Sequence, residues 1–249
     1  MGFQEEYQHL AGLLAEAPVV EVGEWQAIRG DIPQASTIEV EDVSIYLDIP
    51  QDVEDLQDEV EPNLPWAEEH FQERVSGIPY NPPPSHIRWP FAQRSNQAHL
   101  SDEKFSHTYP ERFWPKFAGA AGLSSLWGIR YGYGDLNDVV DLLRKHPSTR
   151  QAYLPVWFPE DTGAVDNQRV PCSLGYHFMI RNGVMKIVYY IRSCDFFRHF
   201  NDDVYMAARL LQWMANEVGV KPGRLIMHMS SLHIFSVERE RVMSIAESS

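Results

Sequence analysis

The sequence is poor in cysteine, with only Cys172 and Cys194 in 249 residues, so no structural disulfide is expected. It is also poor in positive charge. Lys and Arg number 21 against 35 Asp and Glu, a formal balance of −14. That balance argues against nonspecific binding of duplex or single-stranded nucleic acid, which needs a basic surface to displace counterions. A free nucleotide is a different matter, because two or three well-placed arginines can hold one phosphate on an acidic protein. No apolar run approaches the roughly 20 residues needed to cross a bilayer. The opening Met1–Glu6 has neither the basic nor the apolar segment of a secretion signal. These absences predict a soluble protein in a reducing cytoplasm.

What is present is apolar and aromatic. With 44% hydrophobic residues the chain can bury one large core or two small ones, and a single domain over 1–249 is the simpler expectation, its first 60 residues a divergent acidic segment. Ile38 to Leu47 alternates like a half-buried strand, and the acidic stretch Gln51 to Glu61 is expected as a solvated loop. Helical spacing of Trp66, Phe71 and Val75 predicts a helix from Pro65 to the stop at Gly77-Ile78-Pro79. A second helix is expected between Asp135 and Pro147. A long one should run from Asp203 to Val218 with Gly219 as its terminator. Strands are expected at Gln151–Phe158 and Leu225–Phe235, and a hairpin from Ser173–Ile180 and Met185–Ile191 around Asn182-Gly183. Strands interspersed with helices suggest an α+β fold.

Chemistry concentrates around the cysteines. Pro171-Cys172 opens an apolar strand, and Arg192-Ser193-Cys194-Asp195 follows, Arg192 lying 20 positions after Cys172. A thiolate is a strong soft nucleophile favoured by a nearby cation, although a lone cysteine on an apolar strand is more often a packed small hydrophobe. His70, His86, His99, His107 and His228 show no metal-ligand spacing and are read as packing or surface residues, so no metal is expected.

This pair of segments resembles the nucleophile and phosphate-binding segments of the thymidylate synthase superfamily. The resemblance implies a three-layer α+β fold with a large mixed or antiparallel sheet and a long buried helix. It makes Cys172 the nucleophile, Arg192 and Ser193 phosphate ligands, Asp195 a folate contact and His233 a sugar contact. The family's companion tyrosine is Phe235 here. Thr149-Arg150-Gln151 resembles the family's Ser-Arg-Arg, which implies that Arg150 reaches a phosphate in the partner subunit of a homodimer. Trp66-Ala67-Glu68-Glu69-His70-Phe71 resembles, more loosely, the segment bearing the proton-relaying glutamate. Glu68 is the choice and Glu69 the alternative. The likeness covers roughly the last 110 residues well and the first 60 hardly at all.

Two departures refine it. Where thymidylate synthases place the asparagine that reads uracil, 11 residues after Arg192, this chain has Asp203. A carboxyl group can accept from N4 of cytosine and share a proton with N3, whereas a carboxylate facing O4 of uracil has no donor to give. Asn201 would restore the uracil reading only with a deletion in the turn. The exchange is similar to that in bacteriophage deoxycytidylate hydroxymethylases. Only 14 residues follow Phe235, too few for the family's closing tail, so water is expected to replace hydride as final acceptor.

The implied reaction transfers a one-carbon unit from 5,10-methylenetetrahydrofolate to C5 of dCMP with addition of water, in the host cytoplasm if phage-encoded. Cys172, Glu68 and Asp203 would be catalytic. A dCMP methylase, a CMP hydroxymethylase, a dUMP-directed synthase or hydroxymethylase, and a noncatalytic nucleotide- or RNA-binding relative are the alternatives.

Overall fold

The computed structural model describes residues 2–21, 36–89, 100–101, 104–116, 118, 134–162 and 170–247, so His99 lies outside the described residues. In chain order the elements are α1 (Phe3–Glu16), β1 (Val19–Glu21), β2 (Ser36–Asp48), α2 (Val53–Val60), α3 (Trp66–Val75), β3 (Leu100–Ser101), β4 (Lys104–Phe105), α4 (Tyr109–Phe113), α5 (Leu136–Lys145), β5 (Tyr153–Pro155), α6 (Pro159–Thr162), β6 (Ser173–Arg181), β7 (Val184–Ile191), β8 (Cys194–Asp195), α7 (Phe200–Val218), β9 (Lys221–Phe235) and α8 (Arg239–Ala246). A 3-10 turn, Pro84–Arg88, follows α3.

The main sheet runs β1-β2-β9-β7-β6-β5, with β8 added alongside β9. Its pairs are antiparallel except β7 with β9 and β8 with β9, so the sheet is mixed. The β6–β7 hairpin turns at Asn182 and Gly183, whose φ values of 53° and 73° are the left-handed pair that a two-residue hairpin needs.

One face of β9, with Leu225, Met227, Met229, Leu232 and Ile234, is buried. α7 packs on β7 and β9, and α2, α3 and α5 pack on α7. Its interior faces inward almost all round, with Val204, Tyr205, Ala207, Ala208, Leu211, Met214 and Ala215 all at 0% exposure. Burial of each large apolar side chain contributes roughly 1.5–3 kcal/mol, which explains how one helix anchors the layer. Gly219, at φ 77°, ends α7 in the left-handed conformation.

Two expectations need correction. Gln51–Glu61 contains helix α2: Asp52 caps it by accepting from the Glu54 amide, and Leu56 and Val60 are buried while the acidic residues face outward. The charge run concealed an amphipathic period. The strand expected over Gln151–Phe158 narrows to Tyr153–Pro155, since the Val156 and Trp157 amides both donate to the one Leu174 carbonyl, at 3.0 Å each, which breaks the regular ladder after Pro155.

Candidate active site

A cavity of about 200 Å³ lies among α3, α4, the 3-10 turn, the start of β6 and the first turn of α7. Cys172, Ser193 and Asp203 line it. These three come from separate segments, and the fold explains their meeting. The Arg192 amide donates to the Cys172 carbonyl at 2.9 Å, extending the β6–β7 ladder by one bond, so the Arg192-Ser193 turn sits beside the cysteine. Asp203 stands in the first turn of α7, which begins just after that turn.

Cys172 is half-buried. Immediately after it Ser173 Oγ donates to Tyr109 Oη at 3.1 Å and lies 2.6 Å from Tyr189 Oη, a chain of hydroxyls that starts one residue after Cys172. The Arg192 side chain donates through Nε to the Pro171 carbonyl at 3.0 Å and through Nη2 to the Val170 carbonyl at 3.4 Å. It therefore packs against the backbone leading into Cys172.

Asp203 accepts from Cys194 Sγ across 3.8 Å. Burial pushes its carboxyl up to about 7, although Arg74 nearby pulls it down. Asp202 beside it makes a different use of its oxygens, accepting from the backbone and side-chain amides of Asn63, both at 2.8 Å. Asn201 turns away, its amide donating to the Val60 carbonyl at 2.8 Å. Of the two candidates for the base-reading position, Asp203 is the one at the cavity.

Other expected site residues lie elsewhere. Asp195 and His233 are register partners across β8 and β9. The Asp195 carboxylate accepts from the Phe197 and Arg198 amides and pairs with Arg198 at 3.0 Å, so it caps the turn into α7. Arg198 also pairs with Glu238 at 2.8 Å and stacks over Phe235. Burial holds the His233 imidazole below its ordinary pKa, with Asp195 and Glu39 opposing that shift. Arg150 is exposed just before β5.

The structure does not bring Glu68 to the cavity. Its carboxylate accepts from Arg209 Nε and Nη2, both at 2.9 Å, from Tyr205 Oη at 2.6 Å and from Gln72 at 2.7 Å. Burial alone would raise its pKa, but these donors hold it below the ordinary carboxylate value. Glu69 pairs with Arg88 on the exposed side.

The face of α3 that does meet the cavity carries Trp66, His70 and Arg74, four residues apart along one stripe. His86 and His107 also line it, so three histidines read as packing or surface residues belong to this site. Arg74 is 4% exposed, its guanidinium 4.0 Å above the Tyr109 ring. Its Nε has no hydrogen-bond partner among the described residues. The four-residue spacing of Trp66, His70 and Arg74 was the available signal that these side chains share one face of α3.

Comparison with known proteins decides the family. The thymidylate synthase family profile matches residues 93–247, more than half of the sequence. The chain belongs to the thymidylate synthase family. That family uses 5,10-methylenetetrahydrofolate as one-carbon donor. A putative thymidylate synthase of Methanosarcina barkeri is 30% identical over 109 residues, 44% of this chain and 49% of that protein. The thymidylate synthase of Rhizorhabdus wittichii is 27% identical over 124 residues, covering 49% of this chain and 39% of the relative. These matches thus span half or less of the relatives' lengths. The crystal structure of thymidylate synthase from T4 phage superposes over 97% of this chain and 80% of its own with a TM-score of 0.66, at 18% identity, and shows the shared fold.

Proposed function

We propose that this family member transfers a one-carbon unit from 5,10-methylenetetrahydrofolate to C5 of dCMP and adds water, yielding 5-hydroxymethyl-dCMP and tetrahydrofolate. The observation that carries the choice of base is Asp203 at the cavity with Cys172, while Asn201 is engaged by α2. One carboxyl oxygen accepts from N4 of cytosine. The other shares its proton with N3, which suits a carboxyl whose pKa lies near neutrality.

Cys172 adds to C6, and C5 becomes the carbon nucleophile. Ser193 and the remaining donor capacity of Arg192 bind the phosphate, and His233 serves the sugar side. Bound folate would supply the one-carbon unit. The cavity walls fit a planar ring, because Trp66 stacks on His70 at 5.3 Å and Trp89 on His199 at 5.5 Å. Trp66 and Trp89 would hold it, while Asp195 would act on it only through the turn it caps.

A homodimer forms through the outer sheet face in this reading. Tyr153, His177, Val188, Ile226 and Tyr46 make one row across β5, β6, β7, β9 and β2. Tyr46 and Tyr153 are 48% and 40% exposed, a large aromatic display for an uncovered sheet. Arg150 borders this face and would reach a phosphate in the partner.

A uracil-directed reading has one observation in its favour: a neutral Asp203 can accept from N3-H and donate to O4. Supplying dCMP, CMP and dUMP separately with the folate and weighing the products separates the readings. A 30-mass-unit gain on dCMP supports ours, and turnover of dUMP alone overturns it.

A further inference from the structure

We infer that His70 and Arg74 form the water-activating pair of this site, His70 as general base and Arg74 as the donor that stabilises the developing hydroxide. The inference rests on the hydroxymethyl reading and assigns that reaction's second half. Both residues line the cavity with Cys172 and Asp203, one helical turn apart on α3.

The hydrogen bonds of His70 fix how it would act. Its Nδ1 lies 3.2 Å from Glu73 Oε2 and 3.2 Å from Ser85 Oγ. Ser85 itself donates to Glu73 through both its hydroxyl and its amide, at 2.6 Å each. Burial would raise the Glu73 pKa, but the bonds from His70 and Ser85 hold it below the carboxylate norm, so Glu73 is an acceptor. Nδ1 must then carry the hydrogen. Nε2 is left as a lone-pair acceptor, and Glu73 stands behind the ring to offset the charge gained with a proton.

Burial and Arg74 together drive the imidazole pKa down to about 4, against the opposing pull of Glu73, so Nε2 is unprotonated at neutral pH. The charged or titratable groups around the ring and its cavity are Arg74 and Glu73 on its own helix, Tyr109 from α4, His86 from the 3-10 turn, and His107, His199, Asp202, Asp203 and Cys172 from the other cavity walls. Arg74 is a buried cation with an unmatched Nε, an arrangement that costs stability unless a ligand oxygen completes it. Glu68, with four donors on its carboxylate, has no lone pair to spare for the role.

In the step assigned to the pair, water gives one proton to His70 Nε2 while its oxygen bonds to the exocyclic methylene carbon on C5 of the covalent adduct. The π electrons of that methylene shift into the ring, and β-elimination then breaks the bond to Cys172, restoring the C5–C6 double bond. The proton on His70 passes to the departing sulfur. No oxidant or reductant is consumed.

The test measures two yields on the full chain: tritium released from C5-labelled dCMP, which reports the first half, and hydroxymethyl product, which reports the second. His70→Gln and Arg74→Gln are expected to lower product per tritium released at least tenfold and to divert the adduct to an added thiol. Glu68→Gln should leave that ratio unchanged. Imidazole should restore product to His70→Ala, a rescue that a purely structural residue would not permit, and Arg74→Lys should recover part of the ratio. Ratios within twofold of wild type in the folded His70 variants would overturn the assignment. A wild type that releases no tritium from dCMP would instead overturn the functional reading, and the pair with it.

Discussion

The Cys194 thiol and the Asp203 carboxyl meet at 3.8 Å, Sγ to Oδ2, with Cys194 1% exposed. A thiol is a weak donor, so it occupies a lone pair of the carboxyl without forcing ionisation as an arginine would. Burial then dominates, and the Asp203 proton sits near neutrality. In turn, Asp203 and burial push the Cys194 thiol up, burial contributing most, which keeps that cysteine a neutral packing group distinct from Cys172.

This has a consequence for stability. Asp203 moves from 3.8 up to about 7 on folding, so between these values the folded state holds a proton the unfolded state lacks, and stability falls as pH rises. His70 moves from 6.5 down to about 4, so the unfolded state holds the extra proton and stability rises over nearly the same window. Each contributes up to about 1.4 kcal/mol per pH unit, with opposite signs. Asp203→Asn removes only the first, so urea midpoints measured at pH 4.5 and 6.5 should rise more steeply in the mutant than in wild type. Parallel profiles would contradict the Asp203 shift.

Glu68→Gln should cost about 1–3 kcal/mol of stability by leaving Arg209 short of its partner. Its effect on kcat at 25 °C should stay within about threefold, or under 1 kcal/mol of barrier. Denaturant melts and initial rates check the two together. A stable mutant with a kcat reduced a hundredfold would return Glu68 to the chemistry.

Much of this was legible in the sequence, for reasons tied to particular residues. The hairpin was marked by Asn182-Gly183, α7 by its apolar stripe and Gly219, and the meeting of Cys172 with the Ser193 turn by motif spacing. α2 was missed because Asp52, Glu54, Asp55, Asp58 and Glu59 mask the Leu56–Val60 spacing. α1 and α8, which pack together, have no motif to announce them. The choice of Glu68 failed to reach the cavity because a loose resemblance identifies a segment without fixing the helix face. Burial of Trp66 and Phe71 does not by itself say which side meets the cavity and which meets Arg209.

The sheet row gives a test of assembly. Ile226 lies at its centre, between Val188 and Tyr46. In the proposed homodimer Ile226→Glu would bury a charge from each subunit in the interface, costing about 3 kcal/mol, roughly 100-fold in dimer Kd. Sedimentation should show a wild-type dimer and a mutant monomer whose activity is restored by no excess of substrate. A mutant that remains dimeric would place the interface elsewhere.

The direct measurement for base choice is kcat/KM for dCMP and dUMP in wild type and Asp203→Asn, at pH 6 and pH 8. Wild type should prefer dCMP, more strongly at pH 8, because cytosine N3 retains the shared proton where uracil O4 cannot and the carboxyl otherwise ionises near 7. Asparagine cannot supply that proton, so the mutant should move toward dUMP by at least tenfold, about 1.4 kcal/mol, with no pH dependence of the ratio. An unchanged preference for dCMP in Asp203→Asn would contradict the role of Asp203.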